Sequence, residues 1–151
     1  MRSYLVYAVL AGVAWGVGGY FEKLGLRELS MPPIIGIALR TAVALLVLGL
    51  ISIPAWKGFA APAGTTSAWW MIVIGGGIVA GSLGMWSFYT SLSLSENLGV
   101  TLAVAFALAP VAGTVIGFFR GDQPADLRTM LGLIAIVGGI VLVQLGRDTA
   151  R

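Results

Sequence analysis

The sequence predicts an all-α membrane protein, a single bundle of five transmembrane helices over residues 1–151. The chain is 58% hydrophobic and only 10% charged, whereas a soluble domain carries about 25% charged residues. Charged residues punctuate the sequence and leave five apolar runs. Each run is close to the roughly 20 helical residues that cross a bilayer core of about 30 Å. The runs do not alternate apolar and polar residues with period two, which excludes transmembrane strands.

The predicted helices have recognisable ends. They cover about residues 4–21, 32–54, 69–95, 97–119 and 129–146. The second begins at Pro32 and Pro33, where a missing N–H costs least, and Pro54 closes it. Trp56 and Trp69 stand at run ends, where amphipathic rings favour the headgroup layer.

The connections between the runs are short. The longest, from Ala55 to Ala68, holds Gly, Pro, Ser and Thr with a single charge, and no connection is long enough to fold as a soluble domain. Little more than Glu96 separates the third run from the fourth, which predicts a tight antiparallel hairpin. Asn97 and Glu96 are expected to cap the fourth helix and to interact with its dipole.

Basic residues are balanced between the two membrane faces. One face carries Arg2, Lys57, Arg120 and Arg128, and the other carries Lys23, Arg27, Arg147 and Arg151, with Arg40 inside the second helix nearest to it. An excess of Lys and Arg normally orients a membrane protein, and there is hardly any excess here. We therefore expect dual topology and an antiparallel homodimer, unless features other than charge orient the chain.

Small residues recur four positions apart in the apolar runs. They are Gly12 and Gly16, Gly77 and Gly81, Gly99 with Ala103 and Ala107, and Gly113 and Gly117. In lipid, small faces let helix backbones approach closely. This pattern favours a packed bundle without indicating which bundle it is.

The composition argues against several function classes. The chain has no His and no Cys, which removes the commonest metal ligands and general bases, so neither a metal site nor a cofactor is predicted. Its six acids lie at run ends, so paired acid–base groups for an enzyme are lacking. Its cations are spread between apolar runs and form no nucleic-acid patch.

An ordered set of motifs resembles the EamA domain of the drug/metabolite transporter superfamily. The set comprises Ala14-Trp15-Gly16 with Lys23, Ala38-Leu39-Arg40, Trp86-Ser-Phe-Tyr89, Pro110, Gly121-Asp122 where the family usually has Gly-Glu, and Gly132 with Gly138-Gly139. Typical members have ten helices made of two such domains in inverted orientation. The resemblance therefore implies a homodimer, or pairing with a second protein of one such domain, and a substrate site near the midplane between the halves.

The same superfamily contains four-helix small multidrug resistance proteins, which carry a first-helix carboxylate eight residues before a Lys. Counting back eight residues from Lys23 gives Trp15. The resemblance therefore does not imply the proton and cation exchange that this carboxylate serves in those proteins.

Arg40 is the most informative single residue. It lies seven residues past Pro33, roughly 10 Å into the membrane, where a guanidinium costs at least about 2.5–3.5 kcal/mol on insertion scales. It either snorkels to the interface or pairs with Glu22 or Glu28, or it faces a cavity and holds an anionic or carboxylated substrate.

The other candidates each have a structural and a functional interpretation. Trp15, Trp86 and Tyr89 line a cavity or simply fill the core. Glu22, expected near the end of the first helix, is a candidate protonatable group for coupling. Pro110 should kink the fourth helix, either as a gating hinge or as part of its shape.

Together these features predict a small-metabolite transporter or exporter that works as an antiparallel, dual-topology homodimer by alternating access. The alternatives are a flippase for a lipid-linked sugar and a non-transporting accessory subunit of a larger complex. The expected partners are the lipid bilayer, a small-molecule substrate and a second copy of the chain. The resemblance implies a multi-pass protein of a prokaryotic cytoplasmic membrane.

Overall fold

The computed structural model describes residues 3–56, 66–122 and 126–148. Within these ranges the chain is helical and contains no strand. It forms five helices that are long and apolar enough to cross a membrane. The predicted all-α membrane fold is confirmed.

The five helices, α1 to α5, follow the apolar runs. They are α1 (Ser3–Glu28), α2 (Pro33–Ser52), α3 in three consecutive parts (Thr66–Trp70, Met71–Gly84 and Met85–Leu94), α4 (Leu98–Phe119) and α5 (Leu127–Asp148). A short 3-10 turn, Ile53–Ala55, extends α2. The first helix is longer than predicted, because it continues through Glu28 instead of ending near Glu22. Charge alone does not stop a helix, and the backbone reaches a positive φ only at Ser30, two residues after Glu28.

Two helices end in the same hydrogen-bonded motif. Ser30 after α1 and Gly121 after α4 have positive φ angles of 46° and 73°. At the end of α1 the N–H of Met31 donates to the carbonyl of Leu26 at 3.1 Å, and the equivalent bond from the N–H of Asp122 is 2.9 Å. This is a Schellman motif, which satisfies carbonyls that a helix end would otherwise leave without partners.

The middle of α3 has wide π-type turns. In Met71–Gly84 the hydroxyl of Ser82 donates to the carbonyl of Gly77 at 3.1 Å, five residues back. A Cβ added at Gly81 would lie 3.0 Å from the carbonyl oxygen of Gly76. The absence of a side chain at Gly81 therefore avoids a close contact with the backbone of its own helix. Gly77, its predicted partner in a packing pair, has open space around it.

The start of α4 is capped as expected. The side chain of Asn97 accepts a hydrogen bond from the N–H of Val100 at 3.3 Å. Several sequence predictions lie outside the described residues. These are most of the Ala55–Ala68 connection and the cations Arg2, Lys57 and Arg151.

The chain divides into two compact units. The first consists of Met1–Tyr20 with Ser95–Arg151, and α4 packs on α5 within it. The second consists of Phe21–Leu94, and α2 packs there on the last part of α3. Among the described residues of the second unit, the buried side chains are Leu26, Ile37, Tyr89 and Leu92.

Most apolar side chains are exposed on the isolated chain. No more than 6% of the apolar window of any span is buried. Glycines on several helices, including Gly12, Gly16 and Gly113, have nothing within 4 Å of an added Cβ. These apolar faces are therefore available to lipid or to helices of another chain.

Candidate functional site

A polar cluster lies within the second unit, where three helices each contribute a side chain. Arg40 on α2 forms a salt bridge with Glu22 on α1, with Nε 2.8 Å from Oε1. The hydroxyl of Tyr89 on α3 donates a hydrogen bond to the Glu22 carboxylate. Arg40 Nη1 also contacts Sδ of Met85 at 3.2 Å. We call Glu22, Arg40 and Tyr89 the polar cluster.

The three groups lie at a similar depth. Glu22 is six residues before the end of α1, Arg40 is seven residues after the start of α2, and Tyr89 is five residues before the end of α3. At about 1.5 Å per residue these offsets are roughly 9, 10 and 8 Å. Because the chain reverses direction between successive spans, the three helix ends belong to the same membrane face. The polar cluster therefore lies about two helical turns from the same end of the three spans.

Gly36 allows the helices to approach at the cluster. A Cβ added at Gly36 would lie 2.8 Å from Cδ2 of Leu26 and 3.1 Å from Cε1 of Tyr89. Gly36 is four residues before Arg40, so both lie on the same face of α2. Sequence reasoning missed this residue, although the four-residue spacing from an intramembrane Arg was a usable signal.

Each charge in the cluster depends on another helix for its partner. The positions one turn from Glu22 on α1 are Gly18, Gly19, Gly25 and Leu26, and those one turn from Arg40 on α2 are Gly36, Ile37, Val43 and Ala44. None of these side chains can neutralise a charge. The sequence left Glu22 and Glu28 open as partners of Arg40, and the structure selects Glu22.

The guanidinium of Arg40 has donors beyond the salt bridge. It carries five N–H groups in a planar fork; Nε donates to Glu22, and Nη1 contacts the thioether of Met85, a weak acceptor. The Arg40 side chain is 39% exposed and the Glu22 side chain 20% exposed. The exposed edge of the fork therefore suits a carboxylate or another planar anion.

The aromatic candidates have different environments. Tyr89 is only 2% exposed, so its ring is part of the core and its hydroxyl serves Glu22. Trp86 is 53% exposed and directly follows Met85. Trp15 belongs to the first unit, where it stacks on Phe106 with ring centroids 5.3 Å apart.

Pro110 also belongs to the first unit, and α4 continues through it from Leu98 to Phe119. The structure thus brings together three of the six candidates, Glu22, Arg40 and Tyr89. Trp86 lies on the same part of α3 as Tyr89. Trp15 and Pro110 belong to the first unit.

The first unit has an open apolar groove between α4 and α5. Its volume is about 350 Å³, and its lining includes Val111, Phe118, Phe119, Met130 and Ile134. No charged side chain lines it. Apart from Thr114 the lining side chains are apolar, so this groove has few groups that would orient a polar metabolite and is a weaker candidate for substrate recognition than the polar cluster.

Among the described residues there is no group of three or more His, Cys, Asp or Glu side chains that would hold a metal ion. The second ion pair of the described chain, Arg120 Nε with Asp122 Oδ2 at 3.0 Å, lies at the end of α4. Both of its side chains are more than 60% exposed. Its position and exposure are those of a local surface pair.

Comparison with protein families places the chain beside known membrane proteins. The sequence profile of the EamA-like transporter family matches residues 2–145. No curated protein and no solved structure gives a significant match.

Proposed function

Because the chain belongs to the EamA-like transporter family, we propose that it moves a small metabolite across a membrane by alternating access, as an antiparallel homodimer. The family profile covers almost all of the chain and the five spans are those of a multi-pass membrane protein. No catalytic step is part of the proposal. The proposed location is the cytoplasmic membrane of a prokaryote, which membrane fractionation would check.

The polar cluster is the observation that carries the proposed site. Ionisable side chains within membrane spans are costly, and they commonly mark substrate or ion pathways. Arg40 holds an anionic or carboxylated group of the substrate with the exposed edge of its guanidinium. Trp86, half exposed beside Met85, offers a ring face to the rest of the substrate. Trp15 has a similar exposure, 55%, and is the aromatic candidate of the first unit.

Three features support the antiparallel homodimer. The cations divide almost evenly between the two faces, so charge gives little reason for one orientation. In the described residues no more than 6% of the apolar window of any span is buried. Open glycines such as Gly113 provide faces on which a second copy can pack closely.

The transport proposal is tested in liposomes. The purified chain would first be screened against small carboxylated metabolites by thermal shift, and each compound that raises Tm would then be assayed for flux. We expect at least one such compound to cross wild-type liposomes, and Arg40→Gln to lose most of the flux. Arg120→Gln is the matched control and should retain it, because Arg120 lies outside the spans.

Other outcomes identify the alternatives. Flux of a lipid-linked sugar, in place of any soluble metabolite, would indicate a flippase. Flux that appears only when a second membrane protein is added would indicate an accessory subunit. Full flux in Arg40→Gln would remove Arg40 from the site.

A further inference from the structure

The salt bridge between Glu22 and Arg40 has a consequence for how an anion reaches the site. Nε of Arg40 is 2.8 Å from Oε1 of Glu22, so the guanidinium already holds a carboxylate that belongs to the protein. An incoming substrate anion brings a second carboxylate to the same cation. Two carboxylates beside one guanidinium repel each other, and the repulsion is strong where water is scarce.

We propose that Glu22 is an internal counter-ion that takes up a proton when an anionic substrate binds Arg40, so that the chain carries one proton with each monovalent anion. This inference rests on the proposed transport function and adds its coupling ion and substrate class. In the empty site Glu22 carboxylate and Arg40 guanidinium neutralise each other. In the loaded site the substrate carboxylate neutralises Arg40, and the added proton neutralises Glu22. The site has no net charge in either state.

The surroundings of Glu22 favour its protonation in the loaded site over a state in which Glu22 and the substrate anion are both negatively charged. The positions one turn away on α1 are Gly18, Gly19, Gly25 and Leu26. Lys23 follows Glu22 directly, and adjacent residues of a helix do not face each other. From the packed helices, Arg40 on α2 and Tyr89 on α3 are the titratable or charged groups of the described residues in contact with Glu22. Once Arg40 is engaged by a substrate, no second cation in this set balances the Glu22 carboxylate.

Tyr89 gives Glu22 a fixed partner in both states. Its hydroxyl donates to the carboxylate while Glu22 is ionised, and a hydroxyl also accepts a hydrogen bond from a protonated carboxyl group. Tyr89 is 2% exposed, so its ring stays in place while the proton is gained or lost. The Glu22 side chain itself is 20% exposed on the isolated chain, so the chain's own side chains leave part of it uncovered.

The test uses benzoate as the probe anion and benzamide as a neutral probe of the same shape. Binding to the purified full chain is measured by titration calorimetry over a range of pH, and in paired buffers of different ionisation enthalpy. We expect uptake of about one proton per benzoate bound, and an affinity that falls about tenfold per pH unit where Glu22 is ionised. Benzamide should bind without proton uptake and with no such slope.

Variants separate the two charged groups. Glu22→Gln should bind benzoate without proton uptake and with a flat pH dependence, because no internal carboxylate remains to be neutralised. Arg40→Gln should lose benzoate binding. Glu28→Gln, on the same helix but outside the polar cluster, is the matched control and should keep the proton uptake and the slope of the wild type.

Several results would overturn the proposal. They are wild-type binding of benzoate with no proton uptake, a tenfold slope that persists in Glu22→Gln, and no benzoate binding to the wild type at millimolar concentration. If Glu22→Gln does not fold, the number of protons that the wild type takes up per benzoate bound, measured in paired buffers, still tests the proposal.

Liposome flux keeps the two proposals apart. A pH dye inside the vesicles follows proton movement. Anion flux without proton movement would support the transport function and contradict proton coupling. Proton-linked binding without flux would support the anion site and contradict the transport function.

Discussion

Two ion pairs between described residues show how much the same chemistry depends on its surroundings. Arg40–Glu22 and Arg120–Asp122 have distances of 2.8 and 3.0 Å. The first joins two different helices, and the second joins two residues at one helix end with side chains 61% and 63% exposed. The first should contribute more to stability, because partial removal from water strengthens the attraction and raises the cost of a lone charge.

A double-mutant cycle measures this difference. For Glu22→Gln and Arg40→Gln we expect a coupling free energy of about 1–2 kcal/mol, kept below the value for a fully buried pair by the 39% exposure of Arg40. For Arg120→Gln and Asp122→Asn we expect less than about 0.5 kcal/mol. Unfolding in mixed detergent would supply the free energies. Equal couplings at the two sites would contradict this account.

At the residue scale the sequence showed which side chains were unusual but not which ones meet. Arg40 was visible as a cation inside an apolar run, and its depth followed from counting residues after Pro33. The contact with Glu22 was one of several open alternatives, because an apolar helix with no polar face gives no sign of which side its neighbours take. Tyr89 was predicted as a cavity candidate, and its burial depends on Gly36, whose role appears only once α2 and α3 are packed.

At the scale of the elements, apolar length predicted the helices and local backbone chemistry decided their ends. Five runs of sufficient length were readable because a bilayer forces every spanning segment to satisfy its own backbone hydrogen bonds. Hydropathy predicts that α1 ends near Phe21, where charged residues begin, but the helix continues through Glu28. The π-type turns of Met71–Gly84 have no hydropathy signal, because apolar residues surround them on every side.

Substitutions at the two Schellman motifs should change the free energy of unfolding in opposite directions. Ser30→Gly should stabilise the protein by about 0.5 kcal/mol, because Ser pays a steric cost at φ 46° that Gly avoids, less the extra freedom of Gly in the unfolded chain. Gly121→Ala, at φ 73°, should destabilise it by about 1 kcal/mol. Thermal unfolding in detergent compares the two variants. A loss of stability in Ser30→Gly would show that the left-handed position is not strained.

Close approach at Gly36 gives a second prediction for the elements. Gly36→Ala should cost about 1–3 kcal/mol, because its methyl group would lie 2.8 Å from Leu26 and 3.1 Å from the Tyr89 ring. The side chain of Leu26 can move, but Tyr89 is held by its burial. Gly49→Ala on the same helix is the control, with open space around it, and should be neutral or stabilise the protein by up to about 1 kcal/mol, because Ala favours a helix more than Gly does. If the two variants were equally stable, α2 and α3 would not be packed as described.

At the scale of the whole molecule, the isolated chain exposes many large apolar side chains along its spans. Lipid covers such surface without any partner, so exposure alone does not establish a dimer. The balance of cations adds an independent reason, because it bears on orientation and not on packing. Together they make orientation the property by which the antiparallel homodimer is best tested.

Shifting the charge balance should separate the two orientations. Lys57→Ala with Arg128→Ala removes two cations from one face, and Arg27→Ala with Arg147→Ala removes two from the other. All four positions lie outside the polar cluster. Because the face richer in Lys and Arg stays in the cytoplasm, each double variant should insert in one orientation, and the two orientations should be opposite. Reporters fused after Arg151 would show signal on both sides for the wild type and on a single side for each variant.

Function then depends on mixing the two variants. Each double variant alone should lose most of its flux, because it supplies copies that all point the same way, and co-expression of the two should restore it. Loss of flux through misfolding would not be rescued by a second misfolded chain, so rescue identifies orientation as the cause. Full flux from either variant alone, inserted in one orientation, would show that a parallel dimer or a single chain is sufficient and would remove the antiparallel arrangement.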